Sequence, residues 1–365
     1  MIQQTAANAE QSTHSTDGAT ARRALRLRSR PARFAIVATL ILIPAATFFR
    51  TQWAESDRVW GGSQNPRPRR GTLNGFDLSN SVLPPKLIRR GGPPRDGIPA
   101  LVDPTMIDAS HAGYLRPFDR VAGVIVDGAA RAYPLRILNY HEVVNDRVGR
   151  TSLAVTYCPL CDSIVVFDRR TEQGELQLGV SGLLYNSNVL LYDRSRPGTE
   201  NLWSQVMRQS VAGDRVGETL NTLPVELTTW SDWLSRHPRT KVLSIATGQQ
   251  RDYDRNPYAA YFAGSGLMFP VNHKDNRLRP KTRVLGVWTQ SGARAYPLAQ
   301  FRRYRRDSDL EAELDGLRFG LSYNNEANSL RVTHADEGLS WMYAFWFAWS
   351  AFHPETEVFR NSEGP

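Results

Sequence analysis

Cysteine is almost missing from this chain: Cys158 and Cys161 are the only two thiols in 365 residues. No disulfide network can therefore hold the fold, and two thiols placed three apart are poorly explained as packing. Lysine is nearly as scarce, with only Lys86, Lys241, Lys274 and Lys281 among 45 basic residues. The net charge of +9 is thus carried by arginine. Those arginines alternate with acids, as in DRRTEQGE and YDRSRPGTE, and form no basic stripe along one element. That pattern argues against a nucleic-acid partner. Also absent are a P-loop, a dinucleotide glycine fingerprint, a zincin helix and a nucleophile elbow. Apolar residues at 41% and aromatics at 10% are enough for a sizeable core.

Long hydrophobic runs are limited to one, Phe34 to Phe49, sixteen residues without a charge. Six arginines between Arg22 and Arg33 precede it, against only Glu10 and Asp17. A basic flank before an apolar run directs a segment to a membrane. Sixteen helical residues rise roughly 24 Å, short of a ~30 Å hydrocarbon core. A cleaved signal peptide is the other reading, but the polar head is long and no small-x-small site precedes RTQWAESDR. The expectation is a cytoplasmic tail over 1–33, a single-pass anchor over 34–49 and a linker over 50–75. The body, 76–365, then lies outside the inner membrane, where disulfides persist. The membrane is the expected partner through this anchor.

The body contains an internal repeat. LRPFDRVAGVIVDGAARAYPL (Leu115 to Leu135) matches LRPKTRVLGVWTQSGARAYPL (Leu278 to Leu298) without a gap. SLAVTYCPLCDSIVV lies over RFGLSYNNEANSLRV, and WSDWLSRHPRTKVL over WFAWSAFHPETEVF. The expected fold is α+β, mainly β. Two related β-rich units with short helices, about 108–245 and 270–360, share one extracytoplasmic domain, and the first is enlarged around 170–215. Asp127-Gly128 marks a hairpin turn, with Ser291-Gly292 in its place in the second unit. Further hairpins are expected from SIVVFDRR with ELQLGVSG and from NVLLYDR with ENLWSQV. Short helices are expected at LRILNYHEVV and TTWSDWLSRHP.

The repeat separates scaffold from function. His237 and His353 occur in both units and are expected to be structural, as are Arg131, Tyr133 and Pro134. Cys158, Cys161 and His141 face Asn324, Ala327 and Tyr304, so thiols and imidazole are missing together from the second unit. The Cys-Pro-Leu-Cys loop between two strands resembles a metal knuckle, with His141 as third ligand within roughly 4 Å of both sulfurs. Thiolates with imidazole suit copper or zinc. His273 is a weaker candidate ligand. Glu142 and Asp162 are second-shell groups or surface acids. A haem c site is excluded because Asp162 follows Cys161. A thioredoxin-like couple wants a helix after the motif, and DSIVVF reads as strand. Tyr185, Asn186, Ser187, Asp193, Trp203 and Gln205 crowd where a pocket can form, or are simply sheet and turn residues.

The strings GGPPRDGIPAL, GVIVDGAARAYPLRILNYHEVVND, AVTYCPLCDSIVVFDR and GVSGLLYNSNVLLYDR together resemble the bacterial and archaeal domain-of-unknown-function 3179 family, from about Phe76 onward. The resemblance implies the Cys-Pro-x-Cys loop and the histidine, carried here by Cys158, Cys161 and His141, but no activity. The first expectation is a membrane-anchored protein binding one transition metal, with redox or Lewis-acid chemistry at an open position. The alternatives are a metal-free thiol–disulfide protein, and a small-ligand module stapled by Cys158–Cys161.

Overall fold

The strand Thr151–Cys158 is buried along its whole length. Strands covered on both faces read as continuous apolar runs, not alternating ones, and here the two polar residues inside the run are satisfied. Thr156 Oγ1 donates to Val165 O at 2.8 Å, and Ser152 Oγ donates to Glu175 at 2.7 Å. This strand is near the middle of the largest sheet. The structure, a computed structural model, describes residues 72–195, 198, 200–302 and 306–360. The expected tail, the anchor and all but the end of the linker lie outside the described residues. Among the described residues no helix is long and apolar enough to cross a membrane.

The protein is mainly β with short helices. The nine-stranded sheet runs Glu357–Val358, Ala293–Pro297, Arg283–Trp288, Ser340–Phe345, Ser163–Asp168, Thr151–Cys158, Val143–Val148 and Leu101–Val102, with Thr222–Leu223 also paired to Ser163–Asp168. A five-stranded sheet holds Glu226–Thr229, Arg120–Val126, Ala129–Pro134, Lys241–Leu243 and Met106–Asp108. A three-stranded sheet holds Ser308–Leu314, Leu317–Asn324 and Ser329–Ala335.

Two hairpins are flanked in the same way. Arg120–Val126 with Ala129–Pro134 has an antiparallel neighbour on one side (Glu226–Thr229) and a parallel one on the other (Lys241–Leu243). Arg283–Trp288 with Ala293–Pro297 has Ser340–Phe345 and Glu357–Val358 in the same senses. A seven-residue helix joins each flanking pair, Trp230–Arg236 in one and Trp346–Phe352 in the other. Each helix drops one tryptophan onto the hairpin. A Cβ on Gly123 would lie 2.1 Å from Trp233, and one on Gly286 would lie 2.3 Å from Trp349. Trp233 Nε1 donates to Thr240 at 3.0 Å, and Trp349 Nε1 donates to Thr356 at 2.9 Å. His237 and His353 stack on these rings at 4.1 and 4.0 Å between centroids.

The stretch that only the first segment has forms, together with Arg89–Arg90, a further five-stranded sheet. Its order is Gln209–Ala212, Leu202–Ser204, Asn188–Asp193, Leu178–Tyr185 and Arg89–Arg90. Pairing of Asn188–Asp193 with Leu202–Ser204 follows the expected hairpin. The other expected hairpin forms only at its tip, where Arg170–Thr171 pairs with Gly174–Glu175, and its longer strands pair elsewhere. Ser163–Asp168 pairs back onto Thr151–Cys158, and Leu178–Tyr185 pairs forward onto Asn188–Asp193. The cause is Asn186-Ser187, both at positive φ (49° and 62°). Two successive left-handed residues make the tight turn whose twist suits a hairpin.

Candidate functional site

Cys158 ends one strand and Ser163 begins the next, directly paired with it. Four residues make the turn between them. Pro159 presets φ for turning, the Cys161 amide donates to Cys158 O at 3.1 Å, and Asp162 takes a left-handed conformation at φ 47°. The turn aims both sulfurs inward, 1% and 0% exposed, as free thiols. They share one wall, the carbonyl of Ser187, at 3.8 Å from Cys158 Sγ and 3.3 Å from Cys161 Sγ. The segment joining the two halves closes over the loop: Tyr261 OH donates to Leu160 O at 2.8 Å, and Ser187 Oγ donates to Phe269 O at 2.6 Å.

The two thiols are electrostatically unequal. Burial works against a thiolate at Cys158, but the Cys161 thiol and the amides of Cys161, Val189 and Leu160 outweigh it and lower the Cys158 pKa. Burial, reinforced by the hydrogen bond and charge of Cys158, pushes Cys161 well above the ordinary thiol range. Turn amides aimed at one sulfur do here what a helix N-terminus does in other dithiols.

Glu142 is the acidic neighbour of this pair. It caps the helix Leu135–His141 in the left-handed region (φ 56°), its amide donating to Leu138 O. The next residue begins the strand Val143–Val148, which pairs with the cysteine strand. Only 7% exposed, Glu142 has a pKa raised far above the carboxylate range, first by burial and then by the charge of Cys158, with Tyr258 opposing through a hydrogen bond. Burial thus favours its protonated form. Glu142, Tyr258, Leu160, Val189, Met268 and Phe269 line a cavity of about 40 Å³ beside the loop. One water needs roughly 10–15 Å³ on this measure, so the cavity admits about three or four waters or a molecule of that size.

His141 is turned elsewhere. Its Nδ1 is bonded to Pro99 O at 2.8 Å and its Nε2 to the Tyr253 hydroxyl at 2.6 Å. Burial lowers its pKa to about 4. The structure thus brings Cys158 and Cys161 together and occupies both imidazole nitrogens with other partners. Among the described residues no group of three or more His, Cys, Asp or Glu side chains is arranged to hold a metal ion. His273 lines a surface groove with Lys274, Asp275 and Glu355.

The residues expected to crowd a pocket do not line this cavity. Gln205 is the hub of a buried network, accepting from Ser163 Oγ (2.7 Å) and Asn188 Nδ2 (2.8 Å) and donating to Thr156 Oγ1 (3.0 Å). Asn186 accepts from the Asn272 amide at 2.9 Å, and Tyr185 meets Phe352 edge-on. Trp203 is buried beneath the Arg215 guanidinium, 5.3 Å from it. Asp193 binds Ser195 in a turn.

Asp162 and Glu142 are not surface acids. Asp162 is 1% exposed. It accepts from Arg120 Nη1 (2.8 and 3.0 Å), Arg283 Nε (2.7 Å) and Tyr157 OH (2.8 Å). Burial would raise its pKa, but the two guanidiniums prevail and hold it at about 2. Tyr258 and Tyr261 were not singled out in the sequence. Glu142 had one available signal: it is absent from the second segment along with His141, where the matched register places Arg305.

No curated protein and no solved structure matches the chain. Residues 95–338 match the family described as "Protein of unknown function (DUF3179)". That span covers well over half of the sequence and includes the cysteine turn, Glu142 and both hairpins, so the chain belongs to the DUF3179 family.

Proposed function

We propose that this protein is a redox-active buried dithiol, with Cys158 as nucleophile, Cys161 as resolving thiol and Glu142 as proton donor. The observation that carries the reading is two buried free thiols facing one carbonyl, with a buried carboxyl near Cys158 whose protonated form burial favours. Neither sulfur is open to a protein partner, and the cavity beside the loop, lined by Glu142 and Leu160 and not by the sulfurs, has room only for a molecule a few atoms long. The oxidant in this reading is hydrogen peroxide, which is small enough for that space. The Cys158 thiolate attacks one peroxide oxygen and the O–O bond breaks. Glu142 protonates the leaving hydroxide to water, and Cys158 becomes a sulfenic acid. Cys161 then attacks that sulfur, water leaves, and the disulfide closes. Two thiols and one peroxide give one disulfide and two waters.

The test is a titration of the full-length, fully reduced chain with hydrogen peroxide, followed by denaturation and a thiol count. Loss of two thiols per peroxide without added oxygen mass is the expected result. Thiols that survive an excess sink the reading.

A second reading keeps the same sulfurs as ligands of a soft metal ion, copper or zinc, favoured by their shared orientation toward Ser187 O. It requires one metal per chain in protein purified without a histidine tag. It also requires that His141→Ala leave metal content unchanged, because His141 is bonded to Pro99 and Tyr253.

The body is proposed to be a duplicated unit held outside the inner membrane by Phe34–Phe49. Support comes from the matched segments, the equal flanking of the two hairpins and the arginine-rich flank before Phe34. A periplasm-only reporter fused after Pro365 should be active, and activity from a cytoplasmic reporter alone would reverse the topology.

A further inference from the structure

Arg120 and Arg283 each begin the first strand of a hairpin, at matched positions of the two similar segments. Both guanidiniums converge on one carboxylate, Asp162. Arg120 uses only Nη1 for it and Arg283 only Nε, so N–H groups on both remain without an acceptor among the described residues. The position that matches Asp162 in the second segment is Asn328. Both sit in the left-handed region, at φ 47° and 46°. Both accept from a matched tyrosine, Tyr157 to Asp162 at 2.8 Å and Tyr323 to Asn328 at 3.0 Å. With Oδ1 so occupied, Asn328 has its Nδ2 donors left over. Arg120, Asp162, Arg283 and Asn328 line one cleft of about 60 Å³.

Two guanidiniums against one carboxylate leave an excess positive charge in a partly enclosed space, 26% exposed at Arg120 and 39% at Arg283. An amide stands where a second carboxylate would balance it. Every unused polar group named here is a donor, and arginine forks match the oxygen spacing of carboxylates and sulfate-like groups. We infer that this cleft binds one small oxyanion, of carboxylate or sulfate class, between Arg120, Arg283 and Asn328. Its size excludes a nucleotide. The site is separate from the dithiol cavity and does not depend on redox chemistry there.

The experiment measures binding of acetate, sulfate and phosphate to the full-length chain by calorimetry, in a buffer whose anion is too large for the cleft. Saturable binding near one per chain is expected for at least one of the three. Asn328→Asp supplies the missing carboxylate at a backbone conformation that Asp162 already adopts, so it should keep the fold and weaken binding at least tenfold. Arg283→Met, at the more exposed guanidinium, should weaken it likewise and serves if the first variant misfolds, as judged by circular dichroism. No saturable binding by the wild type overturns the site. So does unchanged affinity in either folded variant, which would identify an adventitious ion only.

Discussion

Gly123 lies directly under the indole of Trp233, and Gly286 lies under that of Trp349 in the same way. A methyl group at either position would need to stand 2.1–2.3 Å from a ring carbon, and the ring cannot retreat. Its Nε1 is tied to a threonine and a histidine stacks on its face. Overpacking of this kind costs about 1–3 kcal/mol. Gly123→Ala and Gly286→Ala should each lower the unfolding free energy by that amount, read as a lower urea midpoint with an unchanged m-value. A cost at one glycine and none at the other would separate the roles of the two tryptophans.

Asp162 makes the chain acid-sensitive in a defined window. Its folded pKa of about 2 is below the unfolded carboxylate value of about 3.9. The stability it contributes is complete above the unfolded value and is lost as pH falls through the folded one. Unfolding curves between about pH 4 and pH 2 should show this loss, and Asp162→Asn should remove that part of the slope. Breaking a buried pair costs roughly 3–5 kcal/mol. Both arginines retain some water contact, so the variant should fall near the lower figure at pH 7.

His141 has the opposite protonation preference to a surface histidine. Its folded value of about 4 lies below the unfolded value of about 6.5. The unfolded chain binds the proton more readily, so stability falls as pH drops from about 6.5 toward 4. His141→Ala should flatten that region. It also orphans Pro99 O and the Tyr253 hydroxyl and opens a cavity, at a cost of about 2–4 kcal/mol. The outcome to watch is thiol oxidation: a change of rate beyond the effect of stability would return the imidazole to the dithiol.

Much of the architecture was readable because turn chemistry announced it. Asp127-Gly128 is a hairpin turn with both residues at positive φ, and Thr229 caps the tryptophan helix through the Asp232 amide. The same chemistry operates at Asn186-Ser187, where polar side chains suggest a pocket but the backbone is turning. The cysteines were legible because their strand–turn–strand setting follows from flanking apolar runs. The exchange of His141 for Glu142 beside them was not. It depends on one left-handed residue at a helix end, a conformation that glutamate seldom adopts and that no periodicity reports.

Glu142 is a test of cost against use. A buried acid with a raised pKa leaves stability complete below the unfolded value of about 4.3 and erodes it as pH rises toward the folded value. Glu142→Gln keeps the shape and loses the charge. Its unfolding midpoint should exceed that of the wild type at pH 8 and approach it at pH 4. Equal midpoints at both would mean that the carboxyl is not held neutral.

The same variant carries the functional argument, joined to the two cysteine variants. If turn amides hold Cys158 as the thiolate, Cys161→Ser should gain one oxygen at Cys158 under equimolar peroxide, because the sulfenic acid forms and nothing resolves it. Cys158→Ser should stay reduced at the same dose, since Cys161 is pushed upward by burial and lacks those donors. Glu142→Gln cannot protonate the departing hydroxide and should slow disulfide closure about 10²-fold, the low end of what general acid catalysis supplies, while being the more stable protein at pH 8. A structural role for Glu142 would predict the reverse link, with stability and rate falling together. Intact-mass spectrometry on the three variants and the wild type reads every one of these outcomes. Equal oxidation of Cys158→Ser and Cys161→Ser would remove the distinction between the two sulfurs on which the chemistry rests.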